Sequence, residues 1–199
     1  MSIKKKQHYV GSTLISRLAL YLFLLHILIL TGCAPAMYDA SFKGKVVDSD
    51  TREPIEGAVA LGFWTTWMMT PAGETTDYYD VCETVTDSKG EFFIPGKGPR
   101  VVTNLNPMQI TVFKAGYRHS SGTLEFYSRY AKVQNGILII PLKKLTMEQR
   151  KISLGPGIPP DGAPLSKVKY YLMEINREMV ERGVPPIKTW NGEVINENK

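Results

Sequence analysis

The residues with the most chemistry to offer are three histidines, two cysteines and a scatter of hydroxyls and carboxylates in a chain of 199 residues. His8 and His26 fall within the first 32 residues, so only His119 stands in the body of the chain. One histidine and one internal thiol, Cys82, cannot assemble a zinc site, which takes three or four nitrogen and sulfur ligands. Asp48, Asp50 and Glu53 lie close together, but Arg52 sits where a calcium loop needs an oxygen ligand, and the central glycine is missing. A solvated turn is the expected reading there, with no metal and no cofactor. Ser120 and Ser121 follow His119, but in no strand-to-helix elbow of the kind that activates a serine. A hydrolase using His119 is therefore kept as a rival reading, and a non-catalytic protein is expected. Aromatic residues offer binding instead: Trp64, Trp67, Tyr78 and Tyr79 cluster in one stretch with Met68 and Met69. Trp, Tyr and Met are enriched at interaction surfaces. These rings are candidate binding residues for a partner or a membrane surface, or for stacking on sugar rings. The alternative is that they extend a strand or close one end of the core.

The first 33 residues read as an address. Lys4, Lys5 and Lys6 give a positive start, and Leu18 to Leu30 are 13 residues without a charge. A bilayer crossing needs ~20 apolar residues, so the run has signal-peptide rather than membrane-span length. Leu30-Thr31-Gly32-Cys33 follows directly. This tetrapeptide resembles the lipobox of bacterial lipoproteins: an aliphatic residue, two small ones, then the cysteine whose thiol takes a diacylglyceryl group as a thioether. The resemblance implies cleavage before Cys33, lipid attachment at Cys33, palmitate among the acyl chains, and anchoring on a membrane facing the periplasm. In lipoprotein sorting, aspartate after the cysteine implies inner-membrane retention. Ala34 therefore implies the periplasmic face of the outer membrane.

Removing this segment also removes the basic excess. The formal charge is +5, but residues 1–32 carry Lys4, Lys5, Lys6 and Arg17 and no acid. The remainder, with 20 basic and 19 acidic side chains, has no long-range field with which to collect nucleic acid. With 43% hydrophobic and 22% charged residues, it has the composition of one globular domain. Cys82, left without an internal partner, is expected to be a buried thiol acting as a small hydrophobe.

The elements that must position the aromatic stretch are strands. Lys43–Val47, Ala58–Trp64, Tyr78–Thr86, Glu91–Ile94, Gln109–Phe113, Thr123–Tyr127 and Ile137–Ile140 are β-rich runs separated by turn residues. Asp87-Ser88-Lys89-Gly90 has the composition of a tight turn between two of them. Seven short strands predict an antiparallel sandwich, with no useful helical period before residue 145. Gly44-Lys45-Val46-Val47-Asp48 with Thr51, Pro54-Ile55 and Gly57-Ala58, then Thr86-Asp87-Ser88-Lys89-Gly90-Glu91-Phe92, then Val112-Phe113-Lys114-Ala115-Gly116-Tyr117 recur in that order. Together they resemble the carboxypeptidase regulatory-like domain, a transthyretin-like sandwich. The resemblance implies an all-β fold over 41–145 and a binding or scaffolding role for an envelope protein partner. Tyr117-Arg118-His119-Ser120 is similar to a signature of hydroxyisourate hydrolase. That family has glycine in place of His119, uses further histidines, and ends its chain at the motif.

The expected layout is signal peptide 1–32, tether 33–40, sandwich 41–145, Pro/Gly linker 146–164, and helix with tail 165–199. The helix is predicted over Leu165 to Arg182, where Leu165, Val168, Leu172, Ile175 and Met179 draw one apolar stripe. Gly183 ends it. That stripe must be buried, either on the chain's own sandwich or on a partner.

Overall fold

The computed structural model describes residues 17–24, 37–100, 104–134, 136–188 and 195. The chain divides into two units, 1–37 and 38–199. In the first, residues 17–24 are helical. Leu30, Thr31, Gly32 and Cys33 lie outside the described residues, as does Trp190. Among the described residues no helix is long and apolar enough to cross a membrane.

The second unit is mostly β, with three sheets and a few short helices. β2 (Phe42–Asp48), β5 (Glu91–Ile94), β9 (Lys132–Gln134) and β10 (Ile137–Leu142) form one sheet, in the order β5-β2-β10-β9. β3 (Val59–Thr70), β4 (Gly73–Val85), β7 (Gln109–Phe113) and β8 (Ser120–Thr123) form a second, in the order β4-β3-β7-β8. β1 (Met37–Asp39) and β6 (Gly98–Arg100) make a two-stranded ribbon, so the end of the expected tether is itself a strand. The sandwich is not wholly antiparallel, because β10 enters between β2 and β9 and runs parallel to β2. Phe42, Val46, Ala60, Trp64, Ile94, Ile110, Val112, Ile140 and Leu142 fill the space between the two four-stranded sheets.

The second sheet is covered on its other face too. α1 (Leu124–Tyr130), α2 (Met147–Ile152) and α3 (Lys169–Glu181) are the helices of this unit, and α3 packs across β3 and β4. Val59, Leu61, Val81 and Phe113 meet Val168, Tyr171, Leu172 and Ile175 in a second core. Successive residues of β3 thus enter opposite cores, which is why Ala58 to Trp64 is continuously apolar rather than alternating. Val168, Leu172 and Ile175 of the helical stripe are buried on the chain's own sheet, with Met179 packed beside them. Leu165 is exposed and precedes the helix, which starts at Lys169 rather than at Leu165. A 3₁₀ turn (Leu165–Lys167) precedes α3, and no side chain of its own caps the helix. Glu83 of β4 does so instead, its carboxylate accepting from Tyr170 N (3.0 Å) and Tyr171 N (2.8 Å). At the other end Gly183 (φ +75°) and Val184 donate to Val180 O and Met179 O, closing a Schellman turn.

Two expectations fail locally. Thr123–Tyr127 was predicted as a strand, yet Thr123 caps α1 by accepting from Phe126 N, and Tyr127 is buried edge-on against Phe42. Capping and tertiary packing outweigh the β propensity of Phe and Tyr. The linker is not all coil either. Thr146 and Gln149 form a capping box that starts α2.

Candidate functional site

β3 continues six residues past Trp64, well beyond the strand end expected there, and carries the aromatic stretch with it. Trp64 pairs with Asp80 and Thr65 with Tyr78, leaving Tyr79 as an extra residue in a β-bulge. Past the bulge, β3 and β4 form an arm. Residues 104–106 brace its first part: Trp67 N donates to Asn104 O (2.9 Å) and Asn106 N to Thr65 O (2.8 Å). Asn104 Nδ2 and Asn106 Nδ2 add bonds to Trp67 O and Thr65 Oγ1. At the tip Thr70 Oγ1 donates to Gly73 O (2.7 Å). Trp67 is 38% exposed, Met68 54% and Met69 68%.

The base of the arm is a charged cluster gathered from five places in the sequence. Trp64 is fully buried, and its Nε1 donates to Asp39 Oδ2 (2.8 Å), which also accepts Lys97 N (2.8 Å). The Lys97 ammonium lies 4.6 Å from the Trp64 ring centroid. Lys97 and Lys167 both pair with Asp80, the latter at 2.7 Å. Arg100 lies 3.9 Å from Asp39 and 5.1 Å from the Tyr79 ring. Partial burial pushes the Asp80 carboxyl up, but hydrogen bonds from Lys167, Lys97 and Val81 N outweigh it and hold the pKa at about 2. A depressed carboxyl contributes stability above its unfolded value of about 3.9, and that contribution is lost as pH falls through the folded one. Asp80→Asn is therefore expected to cost on the order of 1 kcal/mol at neutral pH, after solvent screening at Lys167. The deficit should close on acidification to about pH 2. Urea titrations at the two pH values check this, and a pH-independent deficit would contradict it.

The four candidate rings do not share a face. Trp64 is inside the core and Tyr78 packs against the second core, so neither offers a stacking surface. Strand alternation puts Trp67 on the α3 side of the arm, while Tyr79 meets Arg100 on the other. The remaining chemical residues are occupied structurally. Asp48 Oδ1 accepts Asp50 N (2.8 Å) and Thr51 N (3.1 Å), an Asx turn. No group of three or more His, Cys, Asp or Glu able to hold a metal ion occurs among the described residues. Ser120 Oγ is 2.9 Å from Tyr127 Oη and Ser121 Oγ is 3.0 Å from Thr111 Oγ1. Burial, with Arg118 nearby, lowers the pKa of half-buried His119. Arg118 N donates to Lys143 O as part of a β connection. Cys82 is a free, half-buried thiol whose pKa burial raises.

A second apolar surface was not foreseen from the sequence. The chain after α2 crosses Phe113 and α3 and leaves a groove of about 510 Å³ lined by Leu154, Ile158, Ile175, Met179 and Val184. Leu154 is 86% exposed, Ile158 73%, and nearby Ile152 85%. Scattered aliphatics in a Pro/Gly stretch carry no periodic signal, so only the fold shows that they flank one groove.

No protein-family model matches this sequence, and no curated protein matches it. Among solved structures, that of the streptococcal ancillary pilin aligns at 12% identity with a TM-score of 0.30. The alignment covers 55% of this chain and 30% of the pilin, so the chain spans less than a third of that protein's length.

Proposed function

We propose that this chain is a lipid-anchored cell-envelope protein whose sandwich, of the carboxypeptidase regulatory-like and transthyretin-like kind, serves as a non-catalytic scaffold for a protein partner. The anchor rests on the sequence: an apolar run of signal-peptide length that ends in Leu30-Thr31-Gly32-Cys33. Two or more acyl chains hold a protein on a membrane stably where one does not. Ala34 favours the periplasmic face of the outer membrane.

The observation that carries the scaffold reading is the groove. Leu154, Ile158 and Val184 stand exposed around one apolar depression, and contiguous exposed apolar surface marks interaction sites where single residues do not. The serines beside His119 bond Tyr127 and Thr111, an arrangement that supports packing rather than catalysis.

Two measurements test the two halves separately. Radiolabelled palmitate should enter the wild type and be lost in Cys33→Ser; labelling that persists in the variant removes the anchor. A photocrosslinking residue at Leu154 should give an adduct of one discrete mass in intact envelopes, whereas one at Lys89 should not. Leu154→Asp with Ile158→Asp should abolish trapping by a crosslinker placed at Val184. Equal adducts from Leu154 and Lys89, or none from Leu154, remove the scaffold reading.

A further inference from the structure

We infer that the outer half of β4, from Glu74 to Tyr78, is a docking edge that takes an extended basic segment of a protein partner as an added strand. It stands apart from both the lipid anchor and the groove.

The direction of the backbone here follows from the other side of the arm. Trp67 N bonds Asn104 O and Thr65 O bonds Asn106 N, so the backbone groups of Thr65 and Trp67 point away from β4. In an antiparallel ladder, residues facing each other either exchange both bonds or both turn outward. Tyr78 and Thr76 face Thr65 and Trp67, so their N–H and C=O groups point away from β3, and by alternation so do those of Glu74. β4 is the last strand of its sheet, and among the described residues nothing bonds these outward groups. An unpaired row of this kind is a template for another strand.

A second observation is where the protection of this edge stops. Toward the sandwich it is closed: Asp80 Oδ1 accepts Val81 N (2.8 Å), and Lys97 and Lys167 pair with the same carboxylate. Lysines at a sheet edge are a common defence against pairing. That defence ends at the Tyr79 bulge. Glu74, Thr75, Thr76 and Asp77 are exposed, and the run from Glu74 to Tyr78 holds neither lysine nor proline.

Charge then selects the occupant. Residues 65–79 contain no lysine or arginine. Among the described residues no cation pairs with the exposed carboxylates of Glu74 and Asp77. A second copy of the chain would bring two more carboxylates and no cation into the same strip, and like charges across a ladder are destabilising. A basic strand is attracted instead. Glu74 and Asp77 are three residues apart and so lie on opposite faces. The added strand therefore needs two basic residues at the same spacing, one for each face. Between them, opposite Thr76, an apolar side chain can reach over the small threonine toward half-exposed Trp67, its neighbour on that face.

The test uses the full isotope-labelled chain in zwitterionic micelles with the end-blocked peptide Thr-Lys-Leu-Thr-Arg-Thr, and reads amide exchange residue by residue. Glu74 and Thr76 should gain several-fold protection, whereas Thr75 and Asp77, whose amides are turned toward β3, should not. The same peptide with N-methyl groups on its Leu and Arg should bind about tenfold more weakly, because the pairing amides are gone. Glu74→Lys with Asp77→Lys, both at exposed positions, should abolish the protection and transfer it to a peptide with Glu in place of Lys and Arg. Equal protection of all four amides, or equal binding of the methylated peptide, overturns the inference, since charge alone would then account for the binding. No protection at millimolar peptide also overturns it. Protection of Glu74 and Thr76 that rises with protein concentration in the absence of peptide overturns the basic partner in favour of a second copy.

Discussion

Arg150→Ala is expected to lower the free energy of unfolding by about 3–5 kcal/mol, the cost of stripping one partner from a buried ion pair. Arg150 is only 8% exposed although it is charged. Its Nε and one terminal nitrogen bond both oxygens of Glu178, at 3.0 and 2.5 Å, and the same terminal nitrogen reaches Glu181 at 2.6 Å. Glu178 also accepts Gly116 N (2.8 Å), so the pair ties α2, α3 and the β7–β8 turn together. Without the guanidinium, Glu178 keeps its burial and loses its counter-ion. Burial pushes the Glu178 carboxyl up, but hydrogen bonds from Arg150 and Gly116 and the nearby positive charges hold it below the usual range. A depressed carboxyl stabilises the fold above its unfolded value of about 4.3, and that contribution is lost as pH falls through the folded one. In the variant only the Gly116 N–H and the Arg182 charge still oppose burial, so the carboxyl rises relative to the wild type and protonation relieves it more readily. The deficit should therefore be greatest at neutral pH and shrink near pH 4, as read by urea titrations with a constant m-value. Arg150→Met with Glu178→Leu should recover most of the loss, because an apolar pair has no charge to desolvate. A single-variant deficit that is independent of pH would refute the account.

What could be read from the sequence was what residues encode locally. Asp87–Gly90 is a turn on composition alone, and the structure has Gly90 N on Asp87 O, Asp87 Oδ1 accepting Lys89 N and Glu91 N, and Gly90 at φ +73°. The stripe of α3 was visible because a buried helical face repeats at regular spacing. Extension of the strand past Trp64 was one of the readings the stretch allowed, but which of its rings would be buried was not visible. Trp64-Thr65-Thr66-Trp67 is nearly symmetrical, yet Trp64 is fully buried and Trp67 is on the surface. The difference is one of parity and of where the facing sheet and α3 stop, neither of which is written within the stretch. The base cluster was equally hidden, since Asp39 and Trp64 are 25 positions apart and Asp80 and Lys167 are 87. The parallel pairing of β2 with β10 depends on the whole connection between them.

Trp64→Ala is expected to be as costly as the loss of Arg150, about 3–5 kcal/mol, but for a different reason and with a different signature. Among the described residues the indole is the largest fully buried side chain, and its removal opens a cavity between the sheets that Ile94 and Ile110 can only partly fill. This part of the loss has no titrating group and should be the same at every pH. A second part is local: Asp39 Oδ2 loses one of its two donors, and the Lys97 ammonium loses the ring beneath it. Trp64→Phe separates the two, keeping most of the volume while deleting the N–H. It should cost about 1 kcal/mol more than the lost ring area alone explains, because a partly buried acceptor loses one of its donors. The Lys97 amide, which donates to the same carboxylate, should then exchange its hydrogen faster in the Phe variant while amides in β7 keep their protection. Uniform acceleration across the sandwich would mean that Trp64 supports only the core. Confined acceleration would mean that one indole N–H fastens β1 to the sandwich, so that loosening it frees that strand before it weakens the fold.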